Sequence, residues 1–169
     1  MNTINKSQPP CPTNGYHKEH ACLLIDSFRR VCGKDLLADV NPAQIDGPDA
    51  QQTIAKSLFE ANFVVVSHGT EDDPIFNYAN QRALTLFEMA WEQFIKLPSR
   101  KSAEPLHRDA REALMREVRE SGFIDNYAGI RISGSGKRFE IANAVVWNII
   151  DANNVLRGQA ATFQEIKYL

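Results

Sequence analysis

From His17 onward the chain places apolar residues at helical steps: Ala21, Leu24, Ile25, Phe28, Val31 and Cys32 recur three and four apart and stop at Gly33. That spacing predicts an amphipathic helix. Asn41-Pro42 and Gly47-Pro48 interrupt the next stretch, and Ile54, Ala55, Leu58 and Phe59 predict a second helix over residues 49–62. The β-branched run Phe63–Ser67, closed by His68-Gly69, is followed by an acidic turn and by Ile75–Tyr78, which together read as a hairpin. Asn80 stands as a helix cap before the stripe Ala83, Leu84, Phe87, Ala90, Trp91, Phe94 and Ile95, which Pro98 and Ser99 end. A further helix, opened at Ser102 and carrying Leu106, Ala110, Leu114 and Val118, runs to Gly122.

Beyond Gly122 the period shortens to that of strands. Residues 123–133, 137–150 and 155–163 read as three consecutive antiparallel strands, joined at Gly134-Ser135-Gly136 and Asp151–Asn154. The order predicts an α+β fold, an antiparallel sheet with helices on one face. Residues 137–150 are apolar on both sides, with Phe139, Ile141, Val145, Trp147 and Ile149 alternating with Ala142, Ala144, Val146 and Ile150. Both faces of the sheet must therefore be covered, the second by the N-terminal helices or by a partner subunit. Residues 1–16, with three prolines and no apolar period, read as a flexible tail.

Composition narrows the function classes. A formal charge of -2 at pH 7 gives no overall pull toward nucleic acid or an anionic membrane. No apolar run is long enough to cross a bilayer, so a cytoplasmic protein is expected. Cys11, Cys22 and Cys32 are the chain's three cysteines, an odd number that suits reduced thiols.

Several strings resemble one family. Ser67-His68-Gly69, Tyr78-Ala79-Asn80 with Ala83-Leu84, Leu86-Phe87-Glu88 and Trp91, Leu97–Arg100 with Ser102–Pro105, Tyr127 with Gly129–Ser133, Val146–Asn148 and Gly158–Ala161 occur in the order seen in the MEKHLA family, a PAS-like group. The resemblance implies a PAS-like five-stranded antiparallel sheet with helices on one face: an N-terminal helical extension over 17–62, then a PAS-like MEKHLA domain over 63–169. It also implies a small-ligand pocket between the sheet and the helices that follow the second strand. The function it implies is a non-catalytic sensory or small-molecule-binding module in signalling; the other reading is a ligand-free interaction or dimerisation module. The expected partners are a small apolar or aromatic ligand and a second copy of the chain, with no nucleic acid and no membrane; no particular cofactor is indicated.

The residues assigned to ligand contact are Phe87, Trp91, Phe94, Tyr127, Arg131, Trp147 and Gln159, aromatic or polar positions on apolar elements that serve equally as core. Light-sensing flavin chemistry of the PAS kind needs a cysteine after the second-strand helix, and none occurs beyond Cys32. His107 is the one haem-ligand candidate on a helix, and it reads better as an exposed residue. Cys11, His17, His20 and Cys22 lie close in sequence, but their spacing matches no structural zinc site. Arg108, Arg111, Arg116 and Arg119 alternate with acids and read as a solvated face, whereas Arg100, at a tight break, reads as structural. His68 with Glu71, Asp72 and Asp73 is too weak a cluster to indicate catalysis.

Overall fold

The computed structural model describes residues 6–104 and 108–169. Its elements follow the predicted order: α1 (Lys18–Cys32), α2 (Ala50–Phe59), β1 (Val64–His68), β2 (Phe76–Ala79), α3 (Gln81–Phe87), α4 (Trp91–Phe94), α5 (Arg108–Ser121), β3 (Phe123–Ile132), β4 (Arg138–Ile150), β5 (Leu156–Phe163) and β6 (Glu165–Tyr168). The strands form one antiparallel sheet in the order β2-β1-β5-β4-β3, with β6 also on β4. β6 was not foreseen. It continues β5 in unchanged register, Val145 opposite Thr162 and Ala142 opposite Glu165, past a break where Asn143 takes a left-handed conformation at φ 52.

The sheet is covered on both faces. On the inner face, Val64, Val66, Phe76, Phe139, Ile141, Ala144 and Val146 pack with Phe87, Phe94 and Val118. On the outer face, Val65, Tyr78, Trp147, Ile149 and Ala160 pack with Leu24, Ile25 and Phe28 of α1 and Leu58 of α2. The chain's own N-terminal helices thus supply the second cover. Polar bonds fix α1 in place: the Trp147 indole N–H donates to Ser27 Oγ at 3.1 Å, and His20 Nε2 meets Ser67 Oγ at 2.9 Å. Tail residues 6–16 are not free. Tyr16 is buried against Phe59, and Trp91 Nε1 donates to the Lys6 carbonyl at 3.0 Å, because these rings find apolar and polar partners at the edge of the outer core.

Asn80 joins three elements from a fully buried position. Its Oδ1 accepts from the backbone N–H of Ala83, capping α3, and from that of Val65 in β1. Its Nδ2 donates to the carbonyls of Leu58 and Phe63, at the end of α2 and the entry to β1.

The long helix expected over 80–97 is broken at Glu88, which is left-handed at φ 52. Its carboxylate accepts from Ser133, Ser135 and Lys137 in the β3–β4 hairpin, and Phe87 O accepts from Gly134 N at 2.7 Å. These bonds replace the helical ones, and they hold the Glu88 carboxyl down at about 2, Lys137 contributing most. Ser102, expected as a cap, ends a turn of 3-10 helix (Ser99–Ser102) and donates to Ser99 O. Leu106, placed at the start of the next helix, lies outside the described residues. In α5 the inward stripe is Arg111, Leu114, Met115 and Val118, with Ala110 exposed.

Two bulges decide which residues meet. In β3, Ile124 pairs with Val146 and Tyr127 with Ala144, so one residue is extra there; Asn126 is left-handed at φ 60. In β4 the extra residue lies between Ala144 and Ile141, where Asn143 turns left-handed. Each bulge reverses which side the following residues face, and together they restore the pairing.

The outer core also carries a pH signature. His20 is enclosed between α1 and β1, and its pKa is held down to about 4 by burial, with the charges of Lys6 and His17 acting the same way. An unfolded histidine titrates near 6.5. Stability is therefore complete above about pH 6.5 and falls as pH drops toward 4, because only the unfolded chain takes up the proton over that range. In urea unfolding His20 alone should contribute a loss of about 2 kcal/mol between pH 7.5 and 5. His20→Gln should remove that share; His17 and His68, also pushed down by burial, add losses of their own that the variant keeps. A slope unchanged in the variant would show that His20 protonates freely in the fold.

Candidate functional site

Between the inner face of the sheet and α5 lies a cavity of about 50 Å³. Its apolar wall includes Val66, Phe76, Phe87, Met115, Ile141, Val146 and Phe163, and its polar groups are Ser67, His68, Ser102, Arg111, Tyr127, Arg131 and Gln159. His68, Arg111, Met115 and Gln159 also line an outer groove of about 480 Å³ floored by residues 69–74, so the groove forms the mouth of the cavity.

Strand alternation delivers the inner polar groups. Tyr127, Gly129 and Arg131 are every second residue of β3 and share its inner side. Gly129 leaves the space between them open, since a Cβ there would lie 2.6 Å from the Tyr127 hydroxyl. Arg131 Nη2 can therefore donate to Tyr127 Oη at 2.7 Å, and Nη1 donates to Ile130 O. From α5, Arg111 Nη2 donates to Ser99 Oγ at 2.7 Å. Both arginines are only 7% exposed. Burial pushes Arg111 down to about 10, with the charge of Arg131 as the second cause, so it remains a cation at neutral pH. Arg111 had been placed on a solvated face; its three- and four-residue spacing from Leu114, Met115 and Val118 puts it on the apolar stripe instead.

His68 Nδ1 lies 2.9 Å from the Gly69 carbonyl and so carries the proton, leaving Nε2 as an acceptor. Burial keeps its pKa below the ordinary value, Gly69 pulling the other way and Arg111 and Arg119 pushing it further down. Gln159 Nε2 donates to Met115 O and to Asn148 Oδ1, while Asn148 Nδ2 donates to Val118 O. The two amides fasten α5 over the sheet. Asp73 takes both bonds offered by Arg100, which closes the β1–β2 loop as its position at the break suggested.

Of the residues assigned from sequence, Phe87, Tyr127, Arg131 and Gln159 line the cavity. Phe94 stands behind them, stacked on Phe76 at 4.3 Å and tilted against Phe87 at 5.7 Å. Trp91 and Trp147 lie in the outer core, Trp91 edge-on to His17 and Tyr78, Trp147 edge-on to Phe28. Alternation from Phe139 and Ile141 would have put Trp147 inside; the bulge at Asn143 sends it out. Arg111, His68 and Met115 are additions from the structure. Among the described residues no three His, Cys, Asp or Glu side chains gather as a metal site, Cys11, His17, His20 and Cys22 included. His107 lies outside the described residues. No described helix is long and apolar enough to cross a membrane.

A sheet of this order with helices roofing the cavity on its inner face is a PAS-like fold. The PAS domain of a protein from Colwellia psychrerythraea superimposes with a TM-score of 0.58 at 16% identity, covering 70% of this chain and 95% of that one. A light-oxygen-voltage domain studied with a flavin analogue gives 0.55 at 17% identity, over 69% and 84%. Within that class the chain belongs to the MEKHLA domain family, whose model matches residues 18–168 and so takes in α1 and α2 with the sheet. The homeobox-leucine zipper protein HOX9 of Oryza sativa subsp. indica is 23% identical over 131 residues; the match covers 78% of this chain and only 15% of the rice protein.

Proposed function

We propose that this MEKHLA domain is a sensory module in signalling, non-catalytic, which binds a small molecule in the cavity under α5 and answers by shifting that helix. The observation that carries the reading is the cavity itself: polar groups from β1, β3, β5 and α5 converge on a space walled by apolar side chains. At about 50 Å³ it suits a ligand far smaller than a flavin or haem. Since α5 is tied down through Gln159 and Asn148, a ligand that displaces Gln159 would loosen or re-seat it. The module works as a homodimer in this proposal. The alternative of a ligand-free interaction domain working through the outer sheet face is less well supported, because α1 and α2 occupy that face.

Native mass spectrometry of gently purified protein tests both parts at once. A dimer mass with a small adduct, lost on mild activation, is the expected spectrum. A bare monomer throughout the micromolar range would overturn the ligand-bound dimer.

A further inference from the structure

The two buried arginines of the cavity are unmatched in charge. Among the described residues their hydrogen-bond partners are Ser99 Oγ, Tyr127 Oη and the Ile130 carbonyl, all neutral, and no carboxylate makes an ion pair with either. The acids that raise the Arg111 pKa, Glu112 and Asp73, act from a distance, and Asp73 bonds Arg100. Each guanidinium has five N–H donors, so most are unused. Burying like charges together without a counter-ion is unfavourable, because desolvation is uncompensated and the pair repels. The apolar part of the lining, from Val66, Phe76, Phe87, Met115, Ile141, Val146 and Phe163, suits a short hydrocarbon chain, with Ser67 and Ser102 as further neutral polar groups.

Resting on the sensory reading above, we infer that the ligand is a small monocarboxylate, its carboxylate held between Arg111 and Arg131 and its short apolar tail directed at Phe87 and Ile141. A guanidinium presents a planar fork that matches carboxylate geometry, and charge-assisted bonds are about twice as strong as neutral ones. The small cavity limits the tail to a few carbons. The Tyr127 hydroxyl, already fixed by Arg131, and the acceptor Nε2 of His68 border the head-group region.

The test uses a matched pair of probes, sodium propionate and propionamide, which share size and shape and differ in charge. Each is titrated into the full chain at constant ionic strength, with the arginine Nε–H and Gly129 amide signals followed by NMR. Propionate should bind about tenfold or more tightly than propionamide. Arg111→Met and Arg131→Met should each remove that preference while leaving weak propionamide binding, and Arg29→Met, exposed on α1 across the sheet, should leave it intact. Thermal melts of the variants monitor folding, and Arg111→Lys, which keeps the charge but loses the fork, should fall between. Equal binding of the two probes overturns the carboxylate inference and leaves the sensory reading standing, as does a preference that survives both methionine variants. Binding of neither probe also overturns the inference; the sensory reading then stands or falls on the native mass spectrum.

Discussion

Asn80→Ala will lower stability by about 3–5 kcal/mol, a large effect for one exchange of a polar residue. Four partners lose a bond at once: the buried N–H groups of Val65 and Ala83, the half-buried Phe63 carbonyl, and the Leu58 carbonyl, which keeps a long bond from Ala61 N. Each buried group left unpaired costs about 1–3 kcal/mol, reduced where water enters the space. Asn80→Ser should recover the α3 cap and little else, and Asn80→Asp should stay poor, since a carboxylate cannot donate to two carbonyls. Urea denaturation of the three variants orders them. A loss below about 1 kcal/mol for alanine would mean that the cap and the clamp are redundant.

The second large effect is expected at Gly158, whose φ is +148 and whose missing Cβ leaves room for another strand. In Gly158→Ala the new methyl would fall far inside van der Waals contact with the His68 carbonyl oxygen, with His68 C and Gly69 Cα close behind. Those are backbone atoms, so relief requires β1 and β5 to separate at their ends. A cost of about 3 kcal/mol or more follows, a fall in melting temperature of about 10 °C for a chain of this size. His68 would move with its carbonyl, and the cavity would lose its Nε2 acceptor. Melting curves, with amide exchange at Ser67 and His68, read both consequences. An unchanged melting temperature would show that the strands separate without penalty.

Much of the fold was legible in the residue pattern because its signals are local. The helical spacing in α1, the β-branched run of β1, the cap at Asn80 and the hairpin glycines between β3 and β4 each act over a few residues. Phe87, Tyr127, Arg131 and Gln159 were legible as a group because each follows the alternation of its own element. What escaped depends on longer range. Trp147 changes faces through a bulge that two asparagines in strand runs hint at, since asparagine accepts the left-handed conformation more readily than most residues. Arg111 looked like one of many charges in a helix of alternating sign; only its place among Leu114, Met115 and Val118 marks it as inward. The break at Glu88 depends on serines some 45 residues away, beyond the reach of helical periodicity.

The extra residues at Asn126 and Asn143 have a consequence for how this chain can change in length. Removing Asn126 takes out only the unpaired residue of β3, an edge strand, so Ile124 opposite Val146 and Tyr127 opposite Ala144 keep their partners and their faces. Asn143 is extra toward β3 but counts as an ordinary position toward the other neighbour, where Ala142 opposite Glu165 and Val145 opposite Thr162 keep one register, so its loss would put β5 and β6 out of step with β4. A change of length by one residue is therefore absorbed at the free edge of the sheet and resisted in its interior strand, where two neighbours keep count.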